Sequence, residues 1–354
     1  MSFDFMHWEH GSNFHLPDLS WNDNSSVFDV KASFVGSGRI ALLELLRLGY
    51  GMRGWKRLWI PSYYCEDVVQ SLQGNPVIIK RYPCGPLGED VVPEALVGDV
   101  LLRLSYFGWG LNPLDLKFGG DVIEDHSHYP HGGLKSNADF VFASLRKTFP
   151  VPDGGVLWSP KGYALPEAPA IHPRHEAAVL NRLAAMVAKR AYLQGFVADK
   201  SFYRQQEIAS EELLSEGTPS GISTWSKVML DRFPYETFRL ARVNNYSSFR
   251  IAMATFDKVE VLGPEILDVP AMAIIRLGNM MLRDTLRARL NEENIYTAVL
   301  WPIRDANAVW YRKEDLDFSN ETLAVHVDAR YSPDDMRKVA CRIGAIAEAL
   351  ETEQ

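Results

Sequence analysis

The sequence predicts an α/β protein with a mostly parallel central sheet flanked by helices and a smaller C-terminal α/β unit. Three observations predict it. Short apolar runs recur at helix-length spacing, at 57–61, 76–82, 99–107, 121–125, 139–145 and 155–159. Several, DVLLRLSYF and DFVFASL among them, are near-continuous rather than alternating, as expected of strands covered on both faces. A Gly36-Ser37-Gly38 turn opens an apolar helical stretch from Arg39 to Leu48 ahead of these runs, the start of strand–helix repetition.

At 354 residues and 47% hydrophobic composition the chain can bury a full core. The spacing divides it into an arm over 1–33, a large unit over 34–235 and a small unit over 236–354. The arm mixes Phe3, Phe5, Trp8, Phe14 and Trp21 with Asp, Asn and Ser, and is expected to wrap over a surface or a partner subunit. From His175 to about Ser215 there is no Pro and a single Gly, which predicts a long helix. Ser223–Phe256 reads as mostly helix, broken near Pro234. In the last third, 271–277, 294–301 and 322–329 read as strands, with a helix near 280–293. A closing helix starts at Ser332 as N-cap, with Pro333 at the first position and Asp334 and Asp335 in the first turn.

The net charge of -8 carries no basic block, which argues against a nucleic-acid partner. Cys65, Cys84 and Cys341 are too scattered for a disulfide framework or a CxxC metal pattern. The start MSFDFMHWEH has no apolar h-region, and no run reaches the ~18 apolar residues of a membrane span, so the protein is expected to be cytoplasmic.

Three segments at strand ends carry the chemistry, where open α/β sheets bind ligands. Gly36-Ser37-Gly38-Arg39 opens a helix and offers backbone N–H groups to an anion, or is an ordinary turn capped by Ser37. VIEDHSHYPH ends a strand in Asp125, a carboxylate able to hold a protonated pyridine nitrogen. A metal site from Asp125, His126, His128 and His131, or a set of loop-capping polar residues, fits the same pattern. In FASLRKTFPVPDGG, Lys147 closes a strand-like run with Ser144 three residues before it. A lysine at a buried strand end has its amine freed for imine formation; a surface lysine beside Arg146 is the competing reading of the same run.

Taken in order, these segments resemble the DegT/DnrJ/EryC1/StrS group, the sugar aminotransferases among fold-type-I pyridoxal-phosphate enzymes. The landmarks are Ser37-Gly38-Arg39, IPSYYC at 60–65, Val122 to His128, Ser144…Lys147…Gly154-Gly155, and Arg330 to Met336, spanning roughly 34–350. The resemblance implies a fold-type-I PLP-dependent transferase with pyridoxal 5'-phosphate as cofactor. It implies Lys147 as the Schiff-base lysine, Asp125 as partner of the ring nitrogen, and His128 beside the phenolic oxygen. Ser37, Gly38, Arg39 and Ser144 would cradle the phosphate. The family's register puts Cys65 at the ring-stacking position, with Tyr63, Tyr64 or Tyr106 as substitutes. An amino donor, a keto acceptor and a homodimer with shared active sites are implied partners. Gly221-Ile222-Ser223-Thr224-Trp225 stands where the family has Gly-x-Asn-x-Arg for the neighbouring subunit's phosphate, and His326 replaces a proline. Arg146, Arg174 or Arg330 could supply the missing charge. Elimination, dehydration or condensation on the same cofactor, a non-catalytic relative and a metal hydrolase are the competing readings.

Overall fold

The structure is a computed structural model that describes residues 6–18, 27–111, 118–215, 217–303 and 310–352. The elements run β1 His10–Gly11, β2 Ala32–Val35, α1 Gly38–Met52, β3 Arg57–Pro61, α2 Glu66–Ser71, β4 Ile78–Tyr82, β5 Asp99–Leu104, β6 Asp121–Asp125, β7 Phe140–Ser144 and β8 Gly155–Trp158. They continue as α3 Pro173–Leu193, α4 Ser201–Ser215, α5 Thr224–Leu230, α6 Tyr235–Met253, β9 Glu260–Leu262, β10 Met272–Arg276, α7 Met280–Glu292, β11 Ile295–Tyr296, α8 Lys313–Glu321, β12 Thr322–His326 and α9 Pro333–Thr352.

A seven-stranded sheet in the order β2-β8-β7-β6-β5-β3-β4 forms the centre. Its five strands from β7 to β4 are parallel, while β8 and β2 close one edge antiparallel. All six residues of β5 are buried, which explains why DVLLRL lacks alternation: helices cover both faces of an inner parallel strand. The edge strand β4 does alternate in exposure. Helix α1 begins where Ser37 accepts the N–H of Ile40 at 3.2 Å. It buries Ile40, Ala41, Leu42, Leu45 and Leu46 toward β7 and β8, each large side chain contributing roughly 1.5–3 kcal/mol.

A second sheet, β12-β10-β9, is antiparallel. Its alternation splits two cores: Ile274 and Ala324 join the apolar cluster of the large sheet, whereas Ala273, Ile275, Leu323 and Val325 face α6, α7 and α9.

The expected long helix over 175–215 is two helices, α3 and α4, broken at Gly195, which adopts φ +80°. The expected strand over 294–301 is reduced to β11 and a single bridge from Ala298 to Ala324. Helix α8 had no sequence counterpart. The arm over 6–18 lies on its own chain: β1 pairs in parallel with β11, and Leu16 N donates to Met186 O at 2.9 Å. Arg330 donates to the carbonyls of Gly11, Ser12 and Asn13 and lies over the Phe14 ring. Phe3, Phe5 and Trp21 lie outside the described residues.

Candidate active site

Because β3, β5, β6 and β7 are parallel, their C-terminal ends meet at one edge, and the segments that follow them bring the candidate residues together. Asp125 ends β6 and is buried. Its Oδ2 accepts the Tyr64 hydroxyl at 2.6 Å and its Oδ1 the Ser127 N–H at 2.8 Å. Ser127 Oγ in turn accepts the N–H of Ser144 at 2.9 Å. Ser144 abuts the start of α1 so tightly that a Cβ on Gly38 would lie 2.9 Å from its Cβ. Gly155 holds the turn from the other side, where a Cβ would meet Ser37 O at 2.2 Å. The Gly-Ser-Gly turn, the acid and the serine are therefore one assembly.

His128 Nδ1 accepts the Phe107 N–H at 3.2 Å, and the two rings stack at 5.6 Å. Burial first, and the Lys147 ammonium second, push its pKa well below the usual imidazole value. The ring is neutral, and the accepting Nδ1 leaves its proton on Nε2.

Lys147 departs from expectation. β7 stops at Ser144, Leu145 N donates to Gly154 O at 2.9 Å, and the chain turns outward, so the lysine is exposed at the rim rather than buried at the strand end. Its Nζ lies 5.7 Å from the centre of the Trp301 ring.

Other candidates point elsewhere. Arg39 turns its guanidinium to Leu214 O at 3.2 Å and Ser215 O at 2.8 Å, closing the end of α4 and leaving only its backbone at the turn. Tyr106 is buried and donates to Tyr63 O at 2.5 Å. Cys65 sits at the N-cap of α2 and offers no ring. His126 pairs with Glu124 at 2.9 Å and His131 stacks on Tyr235 at 3.7 Å, so the histidines of VIEDHSHYPH do not converge. Among the described residues no group of three or more His, Cys, Asp or Glu is placed to hold a metal. Arg146 pairs with Glu211, and Arg330 with Asp328 at 2.7 Å.

Ser223, in the segment that replaces Gly-x-Asn-x-Arg, faces inward. Its hydroxyl donates to Asp153 Oδ1 at 2.6 Å and its N–H to Oδ2 at 2.9 Å, while His175 Nε2 lies 2.8 Å from Oδ2. Gly36 covers the His175 ring, which a Cβ there would approach to 2.4 Å. This buried network props the Gly36–Gly38 turn from beneath.

Sequence reasoning missed Trp301. Its indole is 5.5 Å from His128, 6.1 Å from Tyr64 and 5.6 Å from Tyr63. Reading 294–301 as a strand hid it, since Trp301 takes φ 51°, a region that a bulky residue rarely adopts.

The donor set fits a pyridine aldehyde phosphate. Asp125 keeps lone pairs for a protonated ring nitrogen, His128 Nε2–H is a neutral donor for a phenolic oxygen, and Lys147 is an amine for the aldehyde. The seam between Gly38 and Ser144, which a Cβ would fill, sits at the N-terminus of α1 where anions bind.

No family model and no curated protein matches the sequence. Solved structures do match in fold. Spr1654 of Streptococcus pneumoniae, described as a sugar aminotransferase in its PLP form, aligns over 90% of this chain and 87% of its own, with TM-score 0.57 and 12% identity. The aminotransferase TlmJ of Streptoalloteichus hindustanus aligns over 91% and 87%, with TM-score 0.55 and 15% identity. A 3-amino-5-hydroxybenzoic acid synthase aligns over 90% and 86%, with TM-score 0.58 and 15% identity. The chain has the fold of these enzymes. That is the fold-type-I architecture, a mostly parallel central sheet flanked by helices.

Proposed function

We propose that the protein is a pyridoxal 5'-phosphate-dependent aminotransferase that moves an amino group from an amino donor to a keto acceptor, a keto-sugar or related polar metabolite. The observation that carries this reading is the assembly of Asp125, His128, Lys147 and the Gly38–Ser144 seam at one sheet edge, in a chain with the fold of solved aminotransferases. When bound, the cofactor supplies an electron sink for charge developing at the reacting carbon.

The chain's own residues do the rest. Asp125 holds a positive ring nitrogen, itself fixed by Tyr64 and Ser127. His128 donates from Nε2. Ser37, Ser144 and the first N–H groups of α1 hold the phosphate. Lys147 anchors the cofactor and then gives and takes the proton at the reacting carbon as general acid and base.

The substrate reading follows from what replaces the Asn and Arg of the resembling family. Ser223 is buried on Asp153 and Trp225 is 57% exposed, so neither offers the bidentate anion contact an arginine would. That loss supports reading the acceptor as a polar keto compound other than an ordinary nucleotide sugar. A homodimer with shared sites is part of the same reading, as are a cytoplasmic location and the division into units at 34–235 and 236–354. Among the described residues no helix is long and apolar enough to cross a membrane.

Visible absorbance that shifts on adding glutamate tests the reading directly. Absorbance with no shift for any amino donor leaves the cofactor and removes transamination. No absorbance removes the whole reading. Half-reactions with keto-sugars, free and nucleotide-linked, test the acceptor, and light scattering tests the dimer.

A further inference from the structure

We infer that the indole of Trp301 is the wall on which the ring bound at Lys147 stacks, taking the place of an aromatic residue after β3. The inference rests on the cofactor reading above. Lys147 Nζ stands 5.7 Å from the indole centre. A carbon joined to that nitrogen by a bond of about 1.4 Å lies roughly 4–7 Å from the same centre. A ring carried by that carbon has its centre ~3 Å further out, and when it turns toward the indole it reaches the roughly 4.5–7 Å centre-to-centre separation at which aromatic rings pair.

The backbone holds the indole there. Trp301 takes φ 51°, a conformation that persists only where its surroundings enforce it, and the Tyr63 hydroxyl grips the preceding carbonyl of Leu300. The other rings are committed: Tyr64 is bound through its hydroxyl to Asp125 and Tyr106 to the backbone of Tyr63. Cys65 has no ring. Trp301 is half-buried and near-parallel to His128 at 15°. Trp301, in the described stretch that follows β11, thus completes a site otherwise built on the large sheet.

The test is a titration of the full-length protein with pyridoxal 5'-phosphate, read by its visible band and induced circular dichroism. Trp301→Phe and Trp301→Leu have similar bulk and differ in the ring. Trp301→Leu should weaken cofactor binding roughly ten- to hundredfold and reduce the dichroism. Trp301→Phe should stay within about fivefold of the wild type. Equal binding by the two variants overturns the inference, and so does tighter binding by Trp301→Leu, which would make the indole an obstruction. A wild-type protein that forms no band overturns the cofactor reading and this inference with it. A normal wild-type band with no difference between the variants overturns this inference alone.

Discussion

The Tyr64 hydroxyl donates to Asp125 Oδ2 at 2.6 Å, on the oxygen opposite the one that takes the Ser127 N–H. Burial, and then the Asp125 carboxylate, push the Tyr64 pKa well above that of an ordinary phenol, so the hydroxyl remains a donor across the working pH range. Tyr64→Phe leaves a buried carboxylate oxygen short of a partner. It should cost about 1–3 kcal/mol of stability, read as a lower urea midpoint at unchanged m-value. An unshifted midpoint means that water replaces the phenol.

Reduction of the cofactor-loaded protein with borohydride should place the phosphopyridoxyl label on Lys147, in the turn between β7 and β8. Peptide mapping decides it. A label on Lys135 or Lys161, which also flank β7, moves the anchor and removes the role assigned to Lys147.

Asp125→Ala should lower turnover by about two or more orders of magnitude, because the ring nitrogen loses the charge that keeps it protonated. Cofactor binding should suffer far less, since the imine and the phosphate cradle remain. Turnover near that of the wild type with cofactor bound would remove Asp125 from the mechanism.

Lys189 of α3 carries a pH signature where it holds the arm. It is 1% exposed and donates to Ser12 Oγ and Asn13 O, both at 2.8 Å. Burial, reinforced by Arg330, lowers its pKa from 10.5 to about 8. Between those values the unfolded chain binds the extra proton, so this group makes stability rise with pH from about 8 to 10.5. The full swing is about 3 kcal/mol and is absent below pH 8, where both states are charged. Lys189→Met should flatten the rise in denaturant stability between pH 8 and pH 10. An identical slope in the variant assigns the rise to other groups.

The strands of the large sheet were legible because two-sided burial leaves uninterrupted apolar runs, as in DVLLRL and FVFAS. The capped starts of α1 and α9 were legible from Ser37 and from Ser332 with Asp335. Asp125, Ser144 and the Gly38 turn are adjacent in space because strand ends and helix starts of a parallel sheet share an edge. Contacts set by tertiary placement were not legible. Nothing in LWPIR announces that Trp301 turns back onto His128, and nothing near Asp153 announces His175 or Ser223, 22 and 70 residues away. The exposure of Lys147 was misread because the apolar run continues to Leu145 although the strand stops at Ser144. His126, a member of the alternative metal set, lies past the end of β6 and pairs with Glu124, a contact that the run of histidines did not announce.

The pairing of His10 with Ile295 sets an order of events during synthesis. The strands between Ala32 and Trp158 can assemble as soon as they leave the ribosome. The arm has its partners among residues made much later: His326 lies 316 positions on, and Tyr331, whose hydroxyl takes the Gly11 N–H, lies 320 on. Its aromatic residues wait until those distant positions have been made. Such distant contacts close slowly, so the newborn protein is most exposed to aggregation in the interval between finishing its sheet and fastening the arm to β11 and Tyr331.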